Sequence, residues 1–280
     1  MAFATPHSPA GASSAPMQRS RGAGKVATQS RNGRTRLVTL YQEGCCKIRL
    51  PRTHGAALEA VLINTSGGLT GGDRIEWQAA ASPGSKLVLT TQACERIYRS
   101  TGEDALIATS LEVGSGAHLD WLPQETILFE ESRLHRTLRV DLDGDATFTA
   151  VEAVLLGREA MGETARSARL RDSWRIYRDG KLVHAEETRL TGWDFEREGL
   201  SLLSGHNAFA TVLAITPDAA EKLEALRGIL DPSVQAAASA IGERLVLRIL
   251  APSGLMLRRT IMPAIALLSG AGSLPRLWTT

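Results

Sequence analysis

The densest chemical signal in this chain is the run Asn64-Thr65-Ser66-Gly67-Gly68-Leu69-Thr70-Gly71-Gly72-Asp73. Gly67, Gly68, Gly71 and Gly72 leave the backbone bare beside one carboxylate. Glycine adopts positive φ without steric cost and admits another backbone at close range. A bare loop of this kind suggests phosphate binding. A Walker A loop, however, closes on Lys-Ser/Thr, which reach the phosphates and Mg²⁺. Here the last glycine leads into Asp73, a negative charge where a phosphate needs a positive one. The loop argues against nucleotide binding.

Metal chelation and nucleophilic catalysis come next. Imidazole is a strong ligand for late first-row metals, but His7, His54, His118, His135, His184 and His206 form no HxH or HxxxH pair. Cys45, Cys46 and Cys94 lack CxxC spacing, which argues against a closed zinc site and a disulfide framework. Free thiols fit a reducing compartment. Cys45 and Cys46 are neighbours in an expected strand, so their side chains should point to opposite faces and not chelate one ion. Cys94 reads as a buried apolar residue. Glu159 and Glu163 have the spacing of one helical face, which suggests a carboxylate pair for a hydrolase or transferase. Gly157 and Gly162 make that segment read as loop, and no nucleophile–base partner is evident. The other acids in distinctive surroundings are Asp73, Glu95, Glu125 and Glu152.

A large, mainly β fold must position these groups. From Lys25 to about Ile215 the hydrophobic period is mostly two, with turn signals at Asn32-Gly33, Pro83-Gly84, Asp143-Gly144 and Asp179-Gly180. Asp-Gly and Asn-Gly supply the positive φ pair of a type I′ hairpin turn. Short strands at this spacing predict an antiparallel β-sandwich or a superhelical β-stack. The last third changes to an αββα tail, about 216–280. A helix over Ala219–Leu230 is followed by strands over Val234–Ile241 and Arg244–Leu250. A second helix over Leu255–Ser269 is expected to kink or divide at Pro263. Residues 1–24 read as a disordered arm rich in Ser, Ala, Gly and Pro, and 25–280 as one domain. Six basic residues precede the first acid, Glu43, leaving 26 basic against 30 acidic residues in the rest. Aromatics at 5% do not cluster. That argues against a nucleic-acid stacking surface and against a generic carbohydrate- or peptide-binding module with an aromatic platform. No run approaches the ~20 apolar residues of a membrane span.

Beyond the glycine block, four further segments follow in order. They are Thr91-Gln92-Ala93-Cys94-Glu95-Arg96-Ile97-Tyr98-Arg99-Ser100, Trp121-Leu122-Pro123-Gln124-Glu125-Thr126-Ile127-Leu128-Phe129, Leu156-Gly157-Arg158-Glu159-Ala160-Met161-Gly162-Glu163 and Leu274-Pro275-Arg276-Leu277-Trp278-Thr279. This ordered set resembles the urease accessory protein UreD family, called UreH in some systems, over roughly Lys25 to Thr280. The resemblance implies a mostly β, non-catalytic, cytoplasmic maturation factor. It implies binding to apo-urease and to UreF, which recruits the GTPase UreG, with UreE as indirect nickel donor. It implies no permanent cofactor, only Ni²⁺ in transit, with an internal polar tunnel as the route the resemblance suggests.

A conduit for nickel must not bind too well, because imidazole or thiolate clusters would trap the ion. Isolated carboxylates, carbonyls and water would hold it weakly. On that logic Asp73, Glu95 and Glu152 are candidates for a transient path. Each has a structural alternative: Asp73 as a turn-pinning acceptor, Glu95 in an ion pair, Glu152 paired with an arginine such as Arg158. Cys94 is an alternative soft contact. Tyr98, Arg99, Ser100 and Arg158 have the character of interface anchors or of an internal brace. Gln124, Gly157, Gly162 and Glu163 complete the distinctive set, and Trp121 and Trp278 read as core or interface fillers.

Overall fold

The computed structural model describes residues 18–53, 55–193, 198–200, 202–270 and 274–279. Strands β1 (Arg21–Arg31) and β2 (Arg34–Gly44) form a hairpin. Its turn has φ 53° at Asn32 and 71° at Gly33, as the Asn-Gly pair requires. After β3 (Cys46–Arg49) and β4 (Leu58–Asn64) the chain alternates between two sheets. β5 (Arg74–Ala81) joins β1 and β2 in the first sheet, and β6 (Lys86–Thr91) returns beside β4 in the second. β7 (Glu95–Ile97) prolongs that return, and β8 (Ala105–Val113) crosses to the first sheet again. The next coil repeats this with β9 (His118–Leu122), the short β10 (Thr126–Leu128) and β11 (Arg133–Leu142). The last coil is β12 (Thr147–Leu156) and β13 (Arg169–Arg178), and β14 (Lys181–Leu190) closes the first sheet as a hairpin. Asp179 and Gly180 turn it at φ 49° and 77°.

Because consecutive strands lie in different sheets, sheet neighbours are one coil apart and run the same way. β1·β5, β5·β8, β8·β11 and β11·β13 pair in parallel, as do β4·β6, β6·β9 and β9·β12. Antiparallel pairing is confined to the ends of the sheets. The superhelical stack is thus the observed architecture, and the antiparallel expectation holds only for its ends. Strand β15 (Ala208–Ile215), helix α1 (Ala219–Ile229), strands β16 (Gln235–Ile241) and β17 (Arg244–Ala251) and helix α2 (Gly254–Leu268) follow.

Two apolar cores make three layers. One fills the space between the sheets and holds Trp77, Trp121, Phe148 and Trp174. The other lies between the second sheet and the helices, with Val151 and Val212 facing Leu226, Leu257, Ile261 and Trp278. β12 serves both, so nearly every residue of it is buried, as a strand covered on both faces requires.

Three expectations change. β1 begins at Arg21, so the strand takes in residues 21–24 of the expected arm. Pro263 does not divide α2, which runs as one helix across it. Cys45 is not in a regular strand: Gly44, at φ 56°, breaks the chain direction between β2 and β3. Both sulfurs therefore converge on Gly22, where a Cβ would stand 2.7 Å from Cys46 Sγ and 2.8 Å from Cys45 Sγ. Burial raises both thiols above their usual range. Among the described residues no helix is long and apolar enough to cross a membrane.

Candidate functional site

The stack has two rims. On one, the chain crosses from the second sheet to the first through residues 65–73, 98–104, 129–132 and 157–168. These loops carry the glycine block, Tyr98-Arg99-Ser100, Phe129 and the Gly157–Glu163 segment. The coil geometry thus gathers segments that are far apart in sequence.

The loops are laced by backbone bonds. Leu69 N–H donates to Arg96 O, Tyr98 N–H to Leu69 O, Gly72 N–H to Asp104 O and Ser100 N–H to Glu131 O. The glycines are there for space. A Cβ on Gly68 would overlap the Tyr98 ring, and one on Gly71 would overlap the Ser100 hydroxyl. Asp73 is buried, 5% exposed. Its Oδ1 accepts from Ser20 N–H at 2.7 Å and its Oδ2 from Thr70 N–H at 2.8 Å. Both oxygens are used in pinning the loop to the start of β1, which is the structural alternative for this residue.

Beside this loop lies a cleft of about 520 Å³. Tyr98 meets Phe129 edge-on, with ring centroids 5.1 Å apart, and the Arg158 guanidinium stacks 4.7 Å above Phe129. Tyr98 donates to Gly67 O at 3.2 Å. Arg158 is held by Glu163, Nε to Oε2 at 2.7 Å, and that bond first of all lowers the Glu163 carboxyl. Glu163 also accepts from Glu130 N–H. Glu159–Met161 form a 3₁₀ turn that ends at Gly162, φ 67°. Tyr98 is 39% and Met161 71% exposed, so the cleft has an aromatic floor, a cationic wall and an apolar lip. Arg99 projects outward to Glu131 at 2.6 Å, whereas Ser100 is buried and bonds Glu103 O. The expected anchor and brace roles are divided between neighbours.

Glu152 sits elsewhere, on the inter-sheet face of β12, and its arginine is Arg136, not Arg158. Arg158 lies on the rim, whereas β11 faces β12 across the core and brings Arg136 to Glu152. Arg136 Nη1 lies 2.5 Å from Glu152 Oε2, and its Nη2 donates to Asp172 at 2.6 Å. Trp121 Nε1 donates to Glu152 Oε1 at 2.9 Å. Two carboxylates thus share one guanidinium in the core, and Asp172 Oδ1 has no hydrogen-bond partner among the described residues. Burial pushes the Glu152 carboxyl up to about 7, Asp172 adds to the rise, and Arg136 opposes it.

Glu95 opens β7 and pairs with no arginine among the described residues. Asn64 Nδ2 donates to both its oxygens, at 3.0 and 3.2 Å. Burial raises it to about 7. Asp73, Glu95 and Glu152 do not form one ligand set: among the described residues no three His, Cys, Asp or Glu side chains gather to hold a metal ion. Cys94 donates to Glu125 at 3.4 Å, and its thiol is raised to about 11, chiefly by burial.

Gln124 belongs to a third cluster. Arg258 of α2 donates to Gln124 Oε1 at 2.7 Å, to Glu125 at 3.0 Å and to the carbonyls of Leu277 and Trp278, both at 3.1 Å. Trp278 Nε1 donates to Leu122 O. The closing segment is therefore a clamp on the second sheet. Arg136 and Arg258 were missed in the sequence. Arg136 is a charge at an inward position of a strand and Arg258 a charge in a mostly apolar helix, but nothing local says which acid either meets.

Comparison with known proteins adds a family. A family model described as "UreD urease accessory protein" matches residues 20–279. The protein named "Urease accessory protein UreD" of Chelativorans sp. (strain BNC1) is 79% identical over 268 residues, covering 96% of this chain and 97% of that protein. Those of Rhizobium etli and Sinorhizobium medicae (strain WSM419), under the same name, are each 48% identical over 268 residues, covering 93% and 94% of this chain and 96% of each relative.

Proposed function

This chain belongs to the UreD family of urease accessory proteins, and we propose from that premise that its loop-bearing rim docks a partner in urease maturation. A role in urease maturation follows from membership. Our finer reading is a non-catalytic, cytoplasmic scaffold that holds apo-urease and the UreF–UreG complex, with UreE supplying nickel indirectly.

One observation carries the docking reading. Three of the five segments that distinguish the sequence line one cleft and the glycine block borders it through Tyr98, and the cleft presents a stacked arginine, a half-exposed tyrosine and an exposed methionine. Arg, aromatic rings and Met are the groups enriched at interface cores. Hydrolysis gains no support, because Glu163 is taken up by Arg158 and by Glu130 N–H. Ni²⁺ is the cargo in this reading. Glu152 and Glu95 are acids with raised carboxyls set apart from imidazole, which favours weak, passing contact.

The test uses two rim substitutions, Met161→Asp and Arg158→Ala, with co-purification on apo-urease and on UreF–UreG. Met161 is exposed, so the fold should stand. Capture of at least one partner should fall about tenfold or more, as truncating an interface anchor does, and the nickel content of urease should fall with it. Undiminished capture of both partners by both variants would remove the rim from the proposal.

A further inference from the structure

A second surface lies outside that cleft. On the outer face of the first sheet, the strand register places Arg21, Arg74, Leu106, His135, Arg171 and Arg189 in one row across six strands. At about 4.8 Å between strands the row is about 24 Å long. It lies at the ends of β5, β8, β11 and β13 that the motif-bearing loops enter, so it borders the docking rim.

The row holds like charges directly opposite one another. Arg21 faces Arg74, and Arg171 faces Arg189. Arg133 faces Arg169 and Arg139 faces Arg175 on the same sheet face. Such pairs destabilise a sheet, and four of them together call for a compensating anion. Inside the molecule the compensation is partial. Glu187 takes contacts from Arg171, Arg175 and Arg189, and Ser173, Arg189 and Arg171 draw its carboxyl down to about 2. Asp104 and Asp141 pair with Arg133 and Arg139. The side chains of Arg21 and Arg74 have no carboxylate partner among the described residues.

We propose that this face docks an acidic protein surface, whose carboxylates complete the charge pairing at Arg21 and Arg74. A protein fits better than a nucleic acid. Glu187 stands among three of the arginines, and Glu76 fills the next row beside Ala108. Both would repel a continuous phosphate chain, whereas a protein face can place its acids between them. The proposal extends the rim reading, but it does not depend on which partner uses the cleft.

The test is fluorescence anisotropy on the full chain, with a labelled oligoglutamate peptide and a labelled DNA duplex as probes at low and high salt. The peptide should bind with salt-sensitive affinity. The double variant Arg74→Glu/Arg171→Glu should weaken it about tenfold or more. Arg259→Glu, exposed on α2 in the opposite layer, should not. Arg74→Gln/Arg171→Gln relieves like-charge pairing, so it should fold at least as well and still lose affinity. It serves if the reversal variant misfolds. Equal peptide affinity in the variants, or tighter binding of the duplex than of the peptide, would overturn the proposal. Failure here with partner capture still lost in the Met161→Asp variant would leave the cleft reading standing.

Discussion

The two rims of the stack do the same geometric task with opposite construction. On the far rim the chain returns from the first sheet to the second through residues 82–85, 114–117 and 143–146, and the β13–β14 hairpin turns on 179–180. These are short turns of Gly, Pro, Asp, Ser and Ala, and they repeat one bond pattern. Gly114 N–H donates to Ala81 O, Asp143 N–H to Val113 O and Asp179 N–H to Leu142 O. On the near rim the loops reach 9 and 12 residues over 65–73 and 157–168, and their contacts are individual. Four-residue turns show what closing a coil requires. The extra length on the near rim is therefore not needed for closure, and loops held on a rigid scaffold are where function is usually carried.

The sharpest way to break this contrast is to add one methyl group on each rim. Gly157, at φ 83°, would place a Cβ onto the Glu163 carbonyl oxygen, whereas a Cβ on Gly116, at φ 66°, would meet nothing within 4 Å among the described residues beyond its chain neighbours. Gly116→Ala should cost only the left-handed backbone strain, about 1–2 kcal/mol. Gly157→Ala adds an overlap with backbone and should cost about 3 kcal/mol or more. Denaturant unfolding of the two variants gives the comparison, and equal losses would mean that near-rim glycines are ordinary turn residues.

The next test exchanges side-chain acceptors. Asp145 on the far rim accepts from Ser115 Oγ at 2.7 Å and Gly116 N–H at 2.6 Å, fully in water. Asp73 accepts from two backbone N–H groups while buried. Asp73→Ala leaves those donors unsatisfied and should cost about 2–3 kcal/mol, freeing Ser20 and the entry to β1. Asp145→Ala should change thermal unfolding little. The same logic alters what deletion of the expected arm does. Removal through Gly24 takes the Ser20 donor and four residues of β1 with it. A cut that spares the stack stops before Gln18. If Asp73→Ala unfolds like wild type yet fails to load nickel into urease, Asp73 belongs to the metal path after all.

This difference also explains what the sequence disclosed. Far-rim turns were legible because Asn-Gly and Asp-Gly encode their own backbone, and the αββα tail because helical and strand periods differ locally. Parallel pairing was not, since a period of two is the same for parallel and antiparallel strands, and only the coil order decides between them. The near-rim segments announced themselves by composition, but that Tyr98, Phe129 and Arg158 share one cleft depends on loops from successive coils meeting. Arg136 was hidden for the same reason: its partner Glu152 is in the opposite sheet. Cys45 and Cys46 converge because Gly44, with positive φ, breaks the strand alternation that their adjacency implies.

The smallest expected effect is a pH dependence of opposite sign on the two rims. Asp145 has a lowered carboxyl, first of all through Ser115. Its contribution is present above the unfolded value of 3.8 and is lost as pH falls through the lower folded value. Glu95, beneath the near-rim loops, is raised from 4.5 to about 7 by burial. Between those values the folded chain holds a proton that the unfolded chain has released, so stability declines as pH rises through that window. The partial exposure of Glu95 reduces the effect to about 1–2 kcal/mol. Glu152, raised to about 7, contributes with the same sign. Glu95→Gln keeps the hydrogen bond from Asn64 and carries no charge, so it should flatten the slope between about pH 5 and 7 and unfold later than wild type at neutral pH. Asp145→Asn should leave that slope alone and act only on the acid side. Unfolding curves across pH for both variants separate the two rims, and a neutral-pH slope that survives in Glu95→Gln would assign it to Glu152 and the core instead of the rim.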